Sequence, residues 1–206
     1  MVKLPKHAVE WVHAFLQLSW FDASRDKKPI MAKIVLINPR FEASYWGLEH
    51  ALPLLGKRAN VPPACLPLLA ALTPDEHQVT LLDENVQPID YDRVAQADIV
   101  GLTGMNIQRA RAREILTELK QRGAFTVVGG PWASVCENYF GDLVDVVFVG
   151  EAEETWPLFL VGWREGHYEQ RYEQPERTDM TRVPVPRACS SSEARAAPVP
   201  ASEASR

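Results

Sequence analysis

The stretch ADIVGLTGMNIQRARAREILTELKQRG, residues 97–123, decides the fold. It opens on Ala97-Asp-Ile-Val-Gly-Leu-Thr103, a nearly continuous apolar run without polar alternation. That is the mark of a strand buried on both faces of a parallel sheet. A glycine-bearing turn follows, Thr103-Gly104-Met105-Asn106, and then a segment with helical spacing from Ile107 to Arg122. Asn106 suits the N-cap and Gly123 the stop beyond the last turn. Ile107, Ala110, Ile115, Leu116 and Leu119 can line one face, leaving Arg109, Arg111, Arg113, Glu118 and Lys120 in water.

The same rhythm extends outward in both directions. Lys33-Ile-Val-Leu-Ile-Asn38 and Val79-Thr-Leu-Leu-Asp83 precede the stretch; Phe125-Thr-Val-Val128 and Val144-Asp-Val-Val-Phe-Val149 follow it. Helices are expected over Cys65–Leu72, with Pro62 and Pro63 at its start, over Trp132–Phe140, and over Glu153–Trp163 with Gly166 beyond. Strands alternating with helices mean βαβ units with right-handed crossovers. The expectation is an α/β domain over residues 31–165, a doubly wound five-stranded parallel sheet, flavodoxin-like (Rossmann-like), in the order 2-1-3-4-5.

The flanks differ. In residues 1–30, Val9, Val12, Leu16 and Trp20 recur at helical spacing, and Asp22 to Pro29 read as a polar linker. Pro39–Val61 is long for a connection, and its Phe41, Tyr45, Trp46, Leu48 and Leu52 point to an ordered loop that packs on something. Residues 166–186 read as a connector to a missing domain. From Arg187 the chain has too few large apolar groups to bury and reads as a disordered tail.

Bulk properties narrow the function classes. The 206-residue chain carries a formal charge of −5 with 46 % hydrophobic residues. The acidic balance and the lack of a basic stripe argue against nucleic acid as a partner. No apolar run reaches the length of a membrane span. Cys65, Cys136 and Cys189 form no CxxC pair, so neither a disulfide framework nor a zinc site is expected, and a reducing cytoplasm fits.

In open α/β sheets ligands sit beyond the carboxyl ends of the strands at the topological switch point. The loops there read Asn38-Pro39-Arg40-Phe41, Thr103-Gly104-Met105-Asn106, Gly129-Gly130-Pro131-Trp132 and Gly150-Glu151. Three carry glycine where strand gives way to helix, which lets a flat ligand approach the backbone. No Walker loop, GxGxxG fingerprint or nucleophile elbow accompanies them, which disfavours a nucleotide-binding enzyme.

At these residues the chain resembles the N-terminal cobalamin-binding domain of B12-dependent radical-SAM proteins. Val127-Val-Gly-Gly-Pro-Trp-Ala-Ser134 and Asp145-Val-Val-Phe-Val-Gly-Glu-Ala-Glu153 are similar to the end of that domain. Lys33–Pro39 and Asp98–Met105 match its first and third strands, and Ser44–Arg58 resembles a subgroup's first loop. The resemblance implies cobalamin as cofactor, with Thr103-Gly104-Met105 near its nucleotide tail and Gly129-Gly130 making room for that tail. Relatives of the methionine synthase type carry Asp-x-His-x-x-Gly after the first strand, whose His binds cobalt. Here that loop reads Asn38-Pro39-Arg40-Phe41-Glu42, which implies base-off binding without a protein His ligand. His50 further along reads as a loop histidine. Trp132 stands where His is common, and it can either stack on the tail or fill the core. Glu151 and Glu153 at a helix start serve the helix dipole rather than catalysis.

The radical-SAM reaction needs a Cys-x-x-x-Cys-x-x-Cys loop, and none of the three cysteines is so spaced. The resemblance therefore implies a cobalamin-binding module of a methyltransferase-like system, truncated before its iron–sulfur domain, not catalytic alone, and partnered by a separate radical-SAM domain or subunit. The alternative is a flavodoxin-like interaction or substrate-recognition module that no longer binds cobalamin.

Overall fold

Lys33–Asn38 is the first strand, β1, and its Ile34, Leu36, Ile37 and Asn38 are all buried. It belongs to a computed structural model that describes residues 31–42, 51, 52, 54, 56, 64–174 and 176–186. The N-terminal helix and linker, most of the loop Pro39–Val61 with His50, the proline pair before the first helix, and the tail from Arg187 lie outside the described residues.

β1 is central. β2 (Gln78–Asp83) pairs on one side of it and β3 (Ile99–Thr103) on the other; β4 (Thr126–Gly129), β5 (Val146–Val149) and β6 (Arg171–Glu173) continue outward. Every pairing is parallel, in the order β2-β1-β3-β4-β5-β6. The doubly wound α/β expectation holds as far as the fifth strand. The correction is the sixth: residues 171–173 extend the sheet from the segment read as a connector. Only Tyr172 of its three residues turns toward the core, where its ring stacks on Phe148 at 5.2 Å. A strand with one apolar residue between Arg171 and Glu173 carries no apolar run for the sequence to show.

β3 and β5 each start two residues later than the apolar runs suggest, for one reason. Asp98 and Asp145 use their side chains to accept the backbone N–H groups of Lys33 and Thr126, each at 2.7 Å. They brace neighbouring strand ends instead of extending their own.

Side chains alternate between two cores. One, on the face of α2 (Tyr91–Val94), α3 (Arg109–Gln121) and α4 (Pro131–Val135), includes Ile37, Val100, Leu102 and Val128. The other, on the face of α1 (Cys65–Leu72) and α5 (Thr155–Glu165), includes Ile34, Leu36, Ile99, Val127 and Phe148. α3 buries Ala112, Ile115, Leu116 and Leu119; each such Leu or Ile contributes about 1.5–3 kcal/mol. Its inward face differs from expectation at the start. Ala110 is exposed and Gln108 is buried, because Asn106–Gln108 form a 3₁₀ turn capped by Met105, not Asn106.

The helix expected over 132–140 is short. Cys136 departs from helical dihedrals at φ −135° and ψ 62°, ending α4 at Val135; a 3₁₀ turn at Glu137–Tyr139 completes the span and a second, Gly141–Leu143, follows it. α5 closes as expected at Gly166, which sits at φ 75°. The Gly166 N–H donates to Trp163 O and the His167 N–H to Gly162 O, the paired bonds of a Schellman motif.

Candidate functional site

The carboxyl ends of β1, β3, β4 and β5 face α1 and the start of α5 across a cavity of about 240 Å³. Its walls are Leu36, Leu66, Leu69, Val127, Phe148 and Trp156. Its breadth comes from missing side chains. A Cβ on Gly101 would lie 2.7 Å from Leu36 Cδ2, and one on Gly129 would lie 3.3 Å from Phe148 Cβ. Gly130, at φ 91° and ψ −178°, occupies a region essentially reserved for glycine. A Cβ there would collide with Thr103 Oγ1 and come 3.1 Å from the Gly104 nitrogen.

Polar groups gather at the mouth. The Cys65 thiol donates to Thr103 Oγ1 at 3.7 Å. Ser134 Oγ accepts the Gly150 N–H at 2.8 Å and donates to Gly130 O at 3.0 Å, clipping the β4 loop to the β5 loop. Glu151 accepts the Thr178 N–H at 2.6 Å. Thr178, through its hydroxyl and then its N–H, holds that carboxyl below its ordinary range. The glutamate read as serving a helix dipole is thus a tether for the chain beyond β6.

A second cluster lies at the ends of β1 and β2. Gln108, 1 % exposed, donates from Nε2 to Asn38 Oδ1 at 2.9 Å and to Pro39 O, and its Oε1 accepts the Met105 N–H at 2.9 Å. Asn38 Nδ2 donates to Asp83 Oδ1 at 3.0 Å, and Asn85 Nδ2 donates to the same oxygen at 2.6 Å. The Arg40 N–H donates to Glu84 and the Phe41 N–H to Asn85 Oδ1, each at 2.9 Å. Arg111 bridges Glu84, Glu114 and the Tyr91 hydroxyl. Burial pushes the Glu84 carboxyl up, but hydrogen bonds from Arg111 and the Arg40 N–H outweigh it, and the net shift is downward. The loop after β1 is therefore bolted to β2 and α3.

The four expected loops thus divide. Thr103, Gly129, Gly130, Gly150 and Glu151 border the cavity. Asn38, Pro39 and Met105 meet instead around Gln108, with Arg40 and Phe41 exposed beside them. The Asn38 side chain is engaged at both its nitrogen and its oxygen, and its carbonyl accepts the Glu84 N–H at 3.0 Å. Asn106 and Pro131 are exposed, and Asn106 accepts from Arg109. Gly104 O accepts the Trp132 N–H at 3.1 Å. Trp132 lies on the opposite face of the sheet, packed edge-on against Tyr139 with centroids 5.4 Å apart and the Arg109 guanidinium 5.5 Å above its ring. The ring packs with the core of that face and does not line the 240 Å³ cavity.

Sequence reasoning missed Gly101, Gln108 and Glu84. Gly101 had a visible signal, since a glycine inside an apolar strand weakens it and marks a close approach. Gln108 and Glu84 had none, because their roles depend on partners 70 and 27 residues away.

The lining fits the apolar part of a corrinoid: the glycine-cut cavity is largely apolar and lies at the strand ends. Among the described residues no cluster of His, Cys, Asp or Glu is arranged to hold a metal ion, and no helix is long and apolar enough to cross a membrane.

Comparison with known proteins agrees. The B12 binding domain family matches residues 58–160, half of the chain. An uncharacterised methyltransferase of Synechocystis is 32 % identical over 156 residues, 75 % of this chain and 29 % of that protein. The hopanoid C-2 methylase of Rhodopseudomonas palustris is 30 % identical over 159 residues, 75 % and 30 % of the two chains. The bacteriochlorophyllide d C-8(2)-methyltransferase of Chlorobaculum tepidum is 33 % identical over 112 residues, 54 % and 24 %. The chain spans less than a third of the length of each of these relatives. By its parallel sheet, its glycine-cut cavity at the strand ends and this match, the chain belongs to the B12-binding domain family.

Proposed function

We propose that this chain is the cofactor-holding part of a cobalamin-dependent methyl-transfer system. The cavity over Gly101, Gly129 and Gly130 carries the reading. At about 240 Å³ it falls below the ~300–1,000 Å³ of pockets that enclose a drug-sized ligand. It suits one flat bicyclic group, the benzimidazole arm of cobalamin, and not the corrin ring. Thr103, Gly129, Gly130, Gly150 and Glu151 border that arm. The loops Asn38–Phe41 and Gly104–Asn106, with the exposed Pro131, would form the shelf around it. With Asn38-Pro39-Arg40-Phe41-Glu42 in place of the Asp-x-His-x-x-Gly motif after β1, cobalt would receive no imidazole from that motif, and binding would be base-off. When bound, cobalamin supplies a cobalt able to carry a methyl group.

The three relatives described above are named as methyltransferases or a methylase, which supports methyl transfer. The radical-SAM step belongs to cysteines that these 206 residues do not hold in the required spacing. A further domain or a separate subunit would supply it, so the chain is not expected to catalyse alone. The reading as an interaction module without cofactor would gain from a Trp132 ring filling the groove, and Trp132 packs with the core on the other face of the sheet.

The test is retention of cofactor. The full chain is mixed with hydroxocobalamin, separated by gel filtration, and its visible spectrum recorded. A stoichiometric base-off spectrum travelling with the protein is the expected result. A protein fraction that stays colourless overturns the proposal.

A further inference from the structure

The depth of the cavity says which corrinoids it takes. Leu36, Gly101 and Val127 form one row across the sheet, since Leu36 pairs with Gly101 and Gly101 with Val127. That row sits in mid-strand, below the level of Thr103 and Glu151. Phe148, Trp156 and Leu69 complete the inner wall. No side chain of this inner set has a polar atom to offer. The only one present, Trp156 Nε1, already donates to Thr73 Oγ1 at 2.9 Å. The strand N–H and C=O groups of the row are used in the parallel ladder. A ring entering this space loses its water and finds no hydrogen-bond partner.

We infer that the cavity selects corrinoids by their lower base, accepting benzimidazolyl and phenolyl cobamides and rejecting purinyl ones. The inference rests on the cobalamin reading above. An adenine in place of dimethylbenzimidazole brings an exocyclic amine and extra ring nitrogens into the apolar floor. A buried polar group left without a partner weakens binding by roughly tenfold or more. Dimethylbenzimidazole brings only the one ring nitrogen freed from cobalt and cresol no ring nitrogen, and their methyl substituents suit a floor of Leu36, Val127 and Phe148. Selectivity here comes from what the wall cannot offer, which discriminates more strongly than a small misfit in size.

Equilibrium titration of the full chain with cresolyl, dimethylbenzimidazolyl and adeninyl cobamides, read by quenching of tryptophan fluorescence, tests it. Cresolyl and dimethylbenzimidazolyl cobamides are expected to bind at least about tenfold more tightly than the adeninyl one. Equal or tighter adeninyl binding overturns the inference and leaves the cobalamin reading standing; no binding of any of the three overturns both. The Val127→Thr variant, nearly isosteric, adds a hydroxyl to the floor and should narrow the cresolyl-to-adeninyl ratio several-fold. The ratio between variant and native protein cancels whatever it costs to detach each base from cobalt. A native preference that neither Val127→Thr nor Leu69→Gln narrows overturns its assignment to the cavity floor.

Discussion

Gln108 shows how one buried polar side chain can set a loop. Its amide has three partners, Asn38 Oδ1, Pro39 O and the Met105 N–H, and it is shut away from water. Buried polar groups are tolerated only when satisfied, and removing one partner exposes the desolvation cost of the others. Gln108→Leu keeps the volume roughly constant but leaves an amide oxygen, a carbonyl and an N–H unpaired. The expected loss is about 1–3 kcal/mol per group that water cannot reach, seen as a lower urea midpoint with an unchanged slope. A variant as stable as the native protein would show that water replaces the amide and that the loop is not set by it. Nothing in the sequence marks Gln108 as different from the exposed Gln121, because inward and outward positions differ by one residue where a 3₁₀ turn runs into α3.

Among the elements, α3 is joined to the end of β2 by an ion pair with little exposure. Arg111 bonds Glu84 through Nε at 2.9 Å and also through its terminal nitrogen; the Glu84 side chain is 7 % exposed and that of Arg111 18 %. A folded carboxyl held below its ordinary value of 4.5 favours the folded state above that value. The gain is lost as pH falls through the lower folded value. Glu84→Gln should therefore cost about 1–3 kcal/mol at neutral pH, and the gap from the native protein should shrink as pH drops below about 4.5. Urea unfolding of both proteins at neutral pH and at about pH 3.5 measures it; a gap independent of pH would remove the charge from the explanation. Elements with an apolar signature of their own were legible: Lys33–Asn38, Cys65–Leu72 and the stop at Gly166 stand where the sequence puts them. α2, four residues capped by Asp90, and β6, three residues with one inward ring, were not. Both are stabilised by what they pack on, and periodicity cannot register that over so few residues.

For the whole molecule, the site was legible as a rim and illegible as a volume. Glycines at strand ends marked the mouth, but the depth depends on Gly101 facing Leu36 and Val127 across three strands. Such a space is a stability cost in the free protein, because its lining lacks contacts on one side, and a ligand that fills it returns them. If the cavity holds cobalamin's nucleotide arm, binding must stabilise the folded state by mass action, by about 2.7 kcal/mol at a hundredfold excess over Kd. Gly130→Ala separates the two contributions. Its Cβ would meet Thr103 Oγ1 and the Gly104 nitrogen in a backbone region that only glycine tolerates, costing about 1–3 kcal/mol without ligand. It should also narrow the mouth and shrink the ligand-dependent gain. Thermal unfolding of both proteins over a hydroxocobalamin series supplies the comparison. A native protein whose Tm ignores the cofactor would remove the cavity as its site. A Gly130→Ala variant that loses stability yet keeps the full ligand-dependent rise would place the cofactor away from Gly130.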